Sequence, residues 1–354
     1  MKKKLLFQNC VILFFLLLAS CKGSMSDEGD NVVTYLTVSS EGGNEKLLGK
    51  TFTFKVKDNL NNDITAESEI FVNDHPINGN LYTPAEKGVY TVRAAYKNLP
   101  VNPISVNAVI NDGVNFKHRI LYEDFTGTWC GNCTRAGARA KNLKLQTDDG
   151  FVFIGIHGPS GQDPWSNTVS TEVEQFKNVT GVDLGWPTMF INRNTMWDDT
   201  ENYTDMSLPL SQLKAFSKIG IKIGSAVSGN TLNIDARISF AQSFSGLKMA
   251  AFIVEDELVG KQKNYVPALG APIIYDYVHH NVLRNKLTSS VAGENIPGSQ
   301  TEISNEYSRT FQYSIPSDYN RDHLKIIVMV MDGNGTVLNV REEKIGITNT
   351  YEFL

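Results

Sequence analysis

Cysteine is scarce in this chain, with four in 354 residues. Cys130 and Cys133 form a Cys-x-x-Cys pair, and no second such pair accompanies it. A four-sulfur zinc site is therefore excluded, and any zinc would need histidines to complete its shell. Long apolar runs are also missing: the mostly apolar stretch Leu5 to Leu18 falls short of the about 20 residues that a membrane-spanning helix needs. No block of basic residues occurs, and 33 Lys and Arg against 38 Asp and Glu give a net charge of −5, which argues against a nucleic-acid partner. Low complexity is confined to Lys22 to Asp30. What remains has an ordinary soluble exterior, and at about 150 residues per domain the length suggests two or three domains, each able to bury its own core.

At the start, Lys2-Lys3-Lys4 and the apolar stretch behind them form the basic and apolar regions of an export signal. The stretch ends in Leu18-Ala19-Ser20-Cys21, which resembles the lipobox of bacterial lipoproteins, where the signal is cut before the cysteine and the thiol is lipidated. The alternative is an ordinary secretory signal with an incidental cysteine. The resemblance implies a membrane anchor at Cys21. More than one acyl chain would hold it stably, because each buried methylene contributes roughly 0.8 kcal/mol and one chain is marginal. Residues 1–20 are then the signal and residues 21–30 a flexible tether. Within the tether, Ser26-Asp27-Glu28 weakly resembles the acidic cluster that directs some Bacteroidota lipoproteins to the surface, and equally reads as a solvated linker.

With Cys10 in the signal and Cys21 lipidated, Cys130 and Cys133 can pair only with each other or with another molecule. A strand-like run, His118 to Phe125, precedes them, and a helix-forming run, Arg135 to Leu145, comes after. A dithiol at such a junction sits at a helix N-terminus, where unpaired N–H groups and the helix dipole stabilise a thiolate, the attacking species in disulfide exchange. Reversible redox chemistry competes here with zinc and with an inert disulfide. A two-residue gap gives little chain-entropy gain as a staple.

The chain reads as multidomain: an N-terminal immunoglobulin-like β-sandwich over 31–112, a central α/β thioredoxin-like domain over 113–218 and a C-terminal β-sandwich over 219–354. The first rests on short alternating runs, Val32 to Val38, Thr51 to Lys57, Glu69 to Val72 and Val89 to Tyr96, separated by turn residues. In the second, strand and helix alternate: the continuously apolar Phe151 to His157 reads as a buried strand, and Trp165 to Lys177 as a helix. In the third, strand periodicity returns from Ile219. Asp332-Gly333-Asn334-Gly335 forms a hairpin turn, and a long stretch from Gly260 to Thr301 lies between the strands. Its adjacent His279 and His280 point opposite ways on an extended chain, which suits hydrogen bonds better than chelation.

Three features make the central part resemble a thioredoxin-fold domain: Trp129 directly before Cys130-Gly131-Asn132-Cys133, Asp124 on the preceding strand, and Gly185-Trp186-Pro187-Thr188 opening a strand after the second helix. The resemblance implies a cis peptide at Trp186–Pro187, substrate contacts at Trp129, Trp186 and Pro187, attack by Cys130, resolution by Cys133 and proton transfer assisted by Asp124. Asp124 could instead face solvent, and Trp129 could serve as packing over the thiols. Gly131-Asn132 departs from the commonest Gly-Pro centre, which leaves the redox direction open. His157, at a strand end on the dithiol edge, could lower a thiol pKa or be a hydrogen-bonded loop residue. The loop Thr195 to Asp199 could rim the site.

The lipobox, the run Glu123 to Cys133, Val254-Glu255-Asp256 and His279 to Arg284 together resemble the outer-membrane-protein-28-related lipoproteins of Bacteroidota. That implies an outer-membrane lipoprotein, facing the periplasm or the surface. Two functions stand: an anchored thiol-disulfide oxidoreductase acting on exported protein thiols or disulfides, or a surface-attachment lipoprotein using the domain as a scaffold. Neither calls for a cofactor or a metal.

Overall fold

Period-two alternation organises the first part of the chain. In Phe52 to Asp58 every second side chain is buried, so one strand face is apolar and seeks a partner layer. In the computed structural model, which describes residues 33–110, 112–158, 163–179, 185–197 and 202–354, that layer forms. Cys21, the signal and the tether lie outside the described residues. The strands are β1 (Leu36–Ser40), β2 (Glu45–Leu47), β3 (Phe52–Asp58), β4 (Glu69–Val72), β5 (His75–Pro76), β6 (Leu81–Tyr82), β7 (Gly88–Ala95), β8 (Val101–Asn102) and β9 (Ile104–Val109). They make a four-stranded sheet, β6-β3-β1-β8, and a five-stranded sheet, β2-β9-β7-β4-β5. Between them lie Leu36, Phe52, Phe54, Val56, Ile70, Val92 and Val106, each large side chain contributing about 1.5–3 kcal/mol. Backbone hydrogen bonds tie this layer to the central part of the chain: the Gly42 N–H donates to the Gln146 carbonyl at 2.7 Å and the Asn44 N–H to that of Leu210 at 3.2 Å.

The centre runs β10 (Ile120–Thr126), α1 (Thr134–Thr147), β11 (Phe151–His157), α2 (Thr168–Val179), β12 (Thr188–Ile191), β13 (Thr195–Trp197) and α3 (Ser207–Gln212). Asn167 caps α2, its Oδ1 accepting the N–H groups of Val169 and Ser170. After α3 come β14 (Ile219–Ser228), β15 (Thr231–Phe240), β16 (Lys248–Glu255), β17 (Leu258–Lys263), β18 (Ile273–His279), β19 (Val282–Lys286), β20 (Glu294–Asn295), β21 (Glu306–Ser314), β22 (Leu324–Met331) and β23 (Val337–Lys344). The stretch Gly260 to Thr301 is thus structured, holding the end of β17 together with β18, β19 and β20.

One nine-stranded sheet joins the two segments expected to lie either side of 218/219, in the order β13-β12-β10-β11-β19-β16-β22-β23, with β20 on β16. β10 and β11 are parallel, β12 and β13 are antiparallel to their neighbours, and β11 meets β19 at Gly155 opposite Val282. The physical reason is the edge: β11 alone would present unpaired backbone, and β19 covers it. The sheet β14-β15-β21 packs on the far half through Ile221, Ile234, Phe311, Met249 and Val328. Mostly β-structure with few helices is therefore the observed class. Among the described residues no helix is long and apolar enough to cross a membrane.

β10 is buried along its whole length. Alternation turns Ile120 and Tyr122 toward α1, where the Tyr122 hydroxyl donates to the Ala136 carbonyl at 3.0 Å, and turns Leu121 and Phe125 toward α2. Glu123, on the α2 side, is buried against buried Arg193, Nε to Oε1 at 3.0 Å. Arg193 also donates to the Val291 carbonyl. Replacing one partner of a buried pair strands the other, so Arg193→Met should cost about 3–5 kcal/mol in a urea titration.

Candidate functional site

The turn 127–133 between β10 and α1 carries the dithiol. The Cys130 N–H donates to the Gly127 carbonyl at 3.0 Å, and Cys133 is the residue from which α1 starts. The two sulfurs are bonded to each other, S–S 1.98 Å, with Cα atoms 5.4 Å apart. The pair thus sits at the helix N-terminus, as its flanking sequence predicts. Beside it, Trp186–Pro187 is cis. The Trp186 ring lies 5.5 Å from that of Trp129, centroid to centroid, which brings the proline loop against the dithiol turn.

Both sulfur residues are closed off: Cys130 is 5% exposed and Cys133 3%. The cover is the β17–β18 hairpin, which arrives from far along the chain. The Lys263 N–H donates to the Thr128 carbonyl at 2.8 Å and the Tyr265 N–H to that of Gly131 at 2.7 Å. The Gln262 Nε2 donates to the carbonyls of Cys130 at 2.8 Å and Gly127 at 3.2 Å. Thr134, at the start of α1, donates its hydroxyl to the Asn264 Oδ1 at 2.9 Å. The Tyr265 ring lies so close on Gly131 that a Cβ there would come within 2.4 Å of it. The turn needs glycine at this position because of a residue the local sequence does not contain.

Asp124 is buried on the side of β10 that faces α1, so the solvent-facing alternative does not hold. Tyr277, from the same hairpin, reaches it. Its hydroxyl lies against Gly137, and burial, with the Asp124 charge adding to it, pushes its pKa up to about 12.

His157 turns elsewhere. Its Nδ1 lies 2.9 Å from the Asp163 Oδ2, and its ring packs on those of Trp165 and His279. Asp163 also accepts the Thr128 N–H at 2.8 Å. Burial works against the Asp163 carboxylate, yet the His157 hydrogen bond and the Thr128 and Trp165 N–H groups hold its pKa below the ordinary value. His157 therefore braces the dithiol turn through Asp163 rather than meeting a sulfur. His279 points inward onto Trp165, its pKa lowered to about 3 by burial and then by His157. His280 points outward to Asp256 at 2.8 Å. Trp197 is buried on Tyr122 beneath α1 rather than rimming the turn, and Asp198 and Asp199 lie outside the described residues. Gln262, Tyr265 and Tyr277 were missed by sequence reasoning, because no local signal links them to a turn more than a hundred residues earlier.

At the rim, Trp186 and Glu174 both crowd Gly158, and among the described residues neither the indole N–H nor the Glu174 Oε1 has a hydrogen-bond partner. Burial raises the Glu174 pKa from 4.5 to about 7. The folded state then binds more protons than the unfolded state between these values, so stability falls as pH rises through that window. Glu174→Gln should flatten this dependence in pH-resolved denaturation and be more stable than wild type by about 1–3 kcal/mol near pH 8.

A family model described as outer membrane protein Omp28 matches residues 173–349, a span that includes the cis proline and the covering hairpin but not the dithiol. Two solved structures are similar. A protein from Agrobacterium tumefaciens has 11% identity over 67% of this chain and 98% of its own, with a TM-score of 0.39. A domain of the outer membrane lipoprotein Omp28 from Porphyromonas gingivalis has 15% identity over 37% of this chain and 89% of its own, with a TM-score of 0.26. No curated protein matches the chain. The family match spans half of the sequence, and the chain belongs to the outer membrane protein Omp28 family.

Proposed function

We propose that residues from Ile120 to Trp197 form a thioredoxin-type unit and that the protein is a thiol-disulfide oxidoreductase of the cell envelope, anchored through Cys21 and acting on exported proteins. The observation that carries this reading is the Cys130–Cys133 disulfide at the start of α1 with cis Trp186–Pro187 beside it. The strand order β11-β10-β12-β13, with the first two parallel and the last two antiparallel, supports the fold. The two sheets of β1 to β9 we read as an immunoglobulin-like sandwich that holds the unit away from the membrane.

In the reaction, a substrate thiolate attacks the Cys130 Sγ. The Sγ–Sγ bond breaks, its electron pair leaves on Cys133, and Cys133 takes a proton. A second substrate thiolate then attacks the mixed disulfide and releases Cys130. Two electrons and two protons pass from the substrate dithiol to the protein, and the reverse sequence reduces a substrate disulfide. Asp124, buried under α1, handles the Cys133 proton. A second reading, a surface-attachment lipoprotein with this unit as scaffold, is favoured by the burial of Cys130.

Equilibration in glutathione buffers should give a potential between roughly −120 and −270 mV, with Cys133→Ser trapping mixed disulfides with exported proteins. A disulfide still closed below about −300 mV, with nothing trapped, would leave the scaffold reading. In the reducing direction, where Cys133 must lose its proton to attack the mixed disulfide, Asp124→Asn with Cys133 intact should slow release of the substrate by about 10²-fold, measured as single-turnover decay of the mixed disulfide.

A further inference from the structure

The hairpin over the dithiol is held in two places, from below and at its tip. Among the described residues β17 and β18 form a separate two-stranded sheet and pair with no other strand, and such a hairpin is marginal alone. It is held from below, by Trp165 against Gly260 and by Tyr277 against Gly137. Its tip is held by backbone: alternate N–H groups, those of Lys263 and Tyr265, donate to the Thr128 and Gly131 carbonyls of the dithiol turn. The donors are spaced two apart, as on an extended chain, and the acceptors lie in the turn after β10. Between them Gln262 fills the carbonyls of Gly127 and Cys130. The Tyr265 side chain, 60% exposed, contributes nothing to a core while it roofs Gly131.

We infer that residues 262–265 occupy, within the same molecule, the docking site of an extended polypeptide segment that carries the substrate cysteines, and that the hairpin must lift before the disulfide reacts. This rests on the oxidoreductase reading. The carbonyls of Gly127, Thr128, Cys130 and Gly131 would then receive N–H groups from the incoming chain, and its thiolate would reach the Cys130 Sγ. Two polypeptide thiols become a disulfide while Cys130 and Cys133 become thiols.

The test uses the full-length protein in detergent. Reduction by dithiothreitol is monitored by alkylation of Cys130, read by peptide mass, in wild type, Gln262→Ala and Tyr265→Ala. Local opening sets the wild-type rate, so both variants should react about 10-fold faster or more. A wild-type melting midpoint for Tyr265→Ala separates lifting from unfolding. The same variants should oxidise a reduced, unfolded ribonuclease A faster than wild type does in a single turnover. Unchanged rates with dithiothreitol would overturn the hairpin as a gate. Faster reduction by dithiothreitol with no oxidation of the unfolded chain would instead overturn the docking site through the oxidoreductase reading beneath it.

Discussion

A strand that ends and a helix that begins leave a turn whose carbonyl groups are only partly met from within, at Gly127 by the Cys130 N–H and at Cys130 by the Cys133 N–H, and in this protein that turn holds the disulfide. Buried carbonyls without partners cost about 1–3 kcal/mol each. Lys263 and Tyr265 supply the donors for Thr128 and Gly131, and Gln262 adds a second donor to Gly127 and Cys130. Satisfying the turn and closing the sulfurs are therefore one event. A dithiol whose backbone was met by water alone would stand open; this one is met by protein, and its cysteines are buried as a consequence.

The hairpin can reach the turn because of the sheet. β16 and β19 flank the hairpin in sequence and stand in the nine-stranded sheet, with β19 placed against β11. A chain leaving β16 and returning to β19 is delivered to the edge where β10 and β11 end. The continuity of the sheet across 218/219 therefore builds the site as well as the core. The buried polar groups obey the same logic. Glu123 on one face of β10 is neutralised by Arg193, and Asp124 on the other lies beside Tyr277. Alternation along a strand buried on both faces makes two neighbouring acids serve two different surroundings.

Much of the architecture was legible in the residues. The alternating runs of the first layer, the helices after Cys133 and after Trp165, the buried strand ending at His157 and the hairpin turn at Asp332 all arise from periodicity and turn chemistry, which are local. The scarcity of cysteine left Cys130 and Cys133 to pair with each other or with another molecule, and the structure bonds them to each other. The joined sheet was not legible, because an apolar strand pattern says that a strand is buried without saying by which neighbour. The orientation of His157 was equally hidden, since Asp163 claims it through a contact that spacing alone does not specify.

By itself, then, the sequence determined the elements and the Cys-x-x-Cys pair at a strand-to-helix junction, because propensity, capping and turn chemistry act over a few residues. Only the tertiary structure decided whether those cysteines face solvent. That depends on carbonyls at 127–131 finding donors at 262–265, a pairing set by which strands share a sheet. Exposure is a property of what lies across a gap, and no local pattern encodes it.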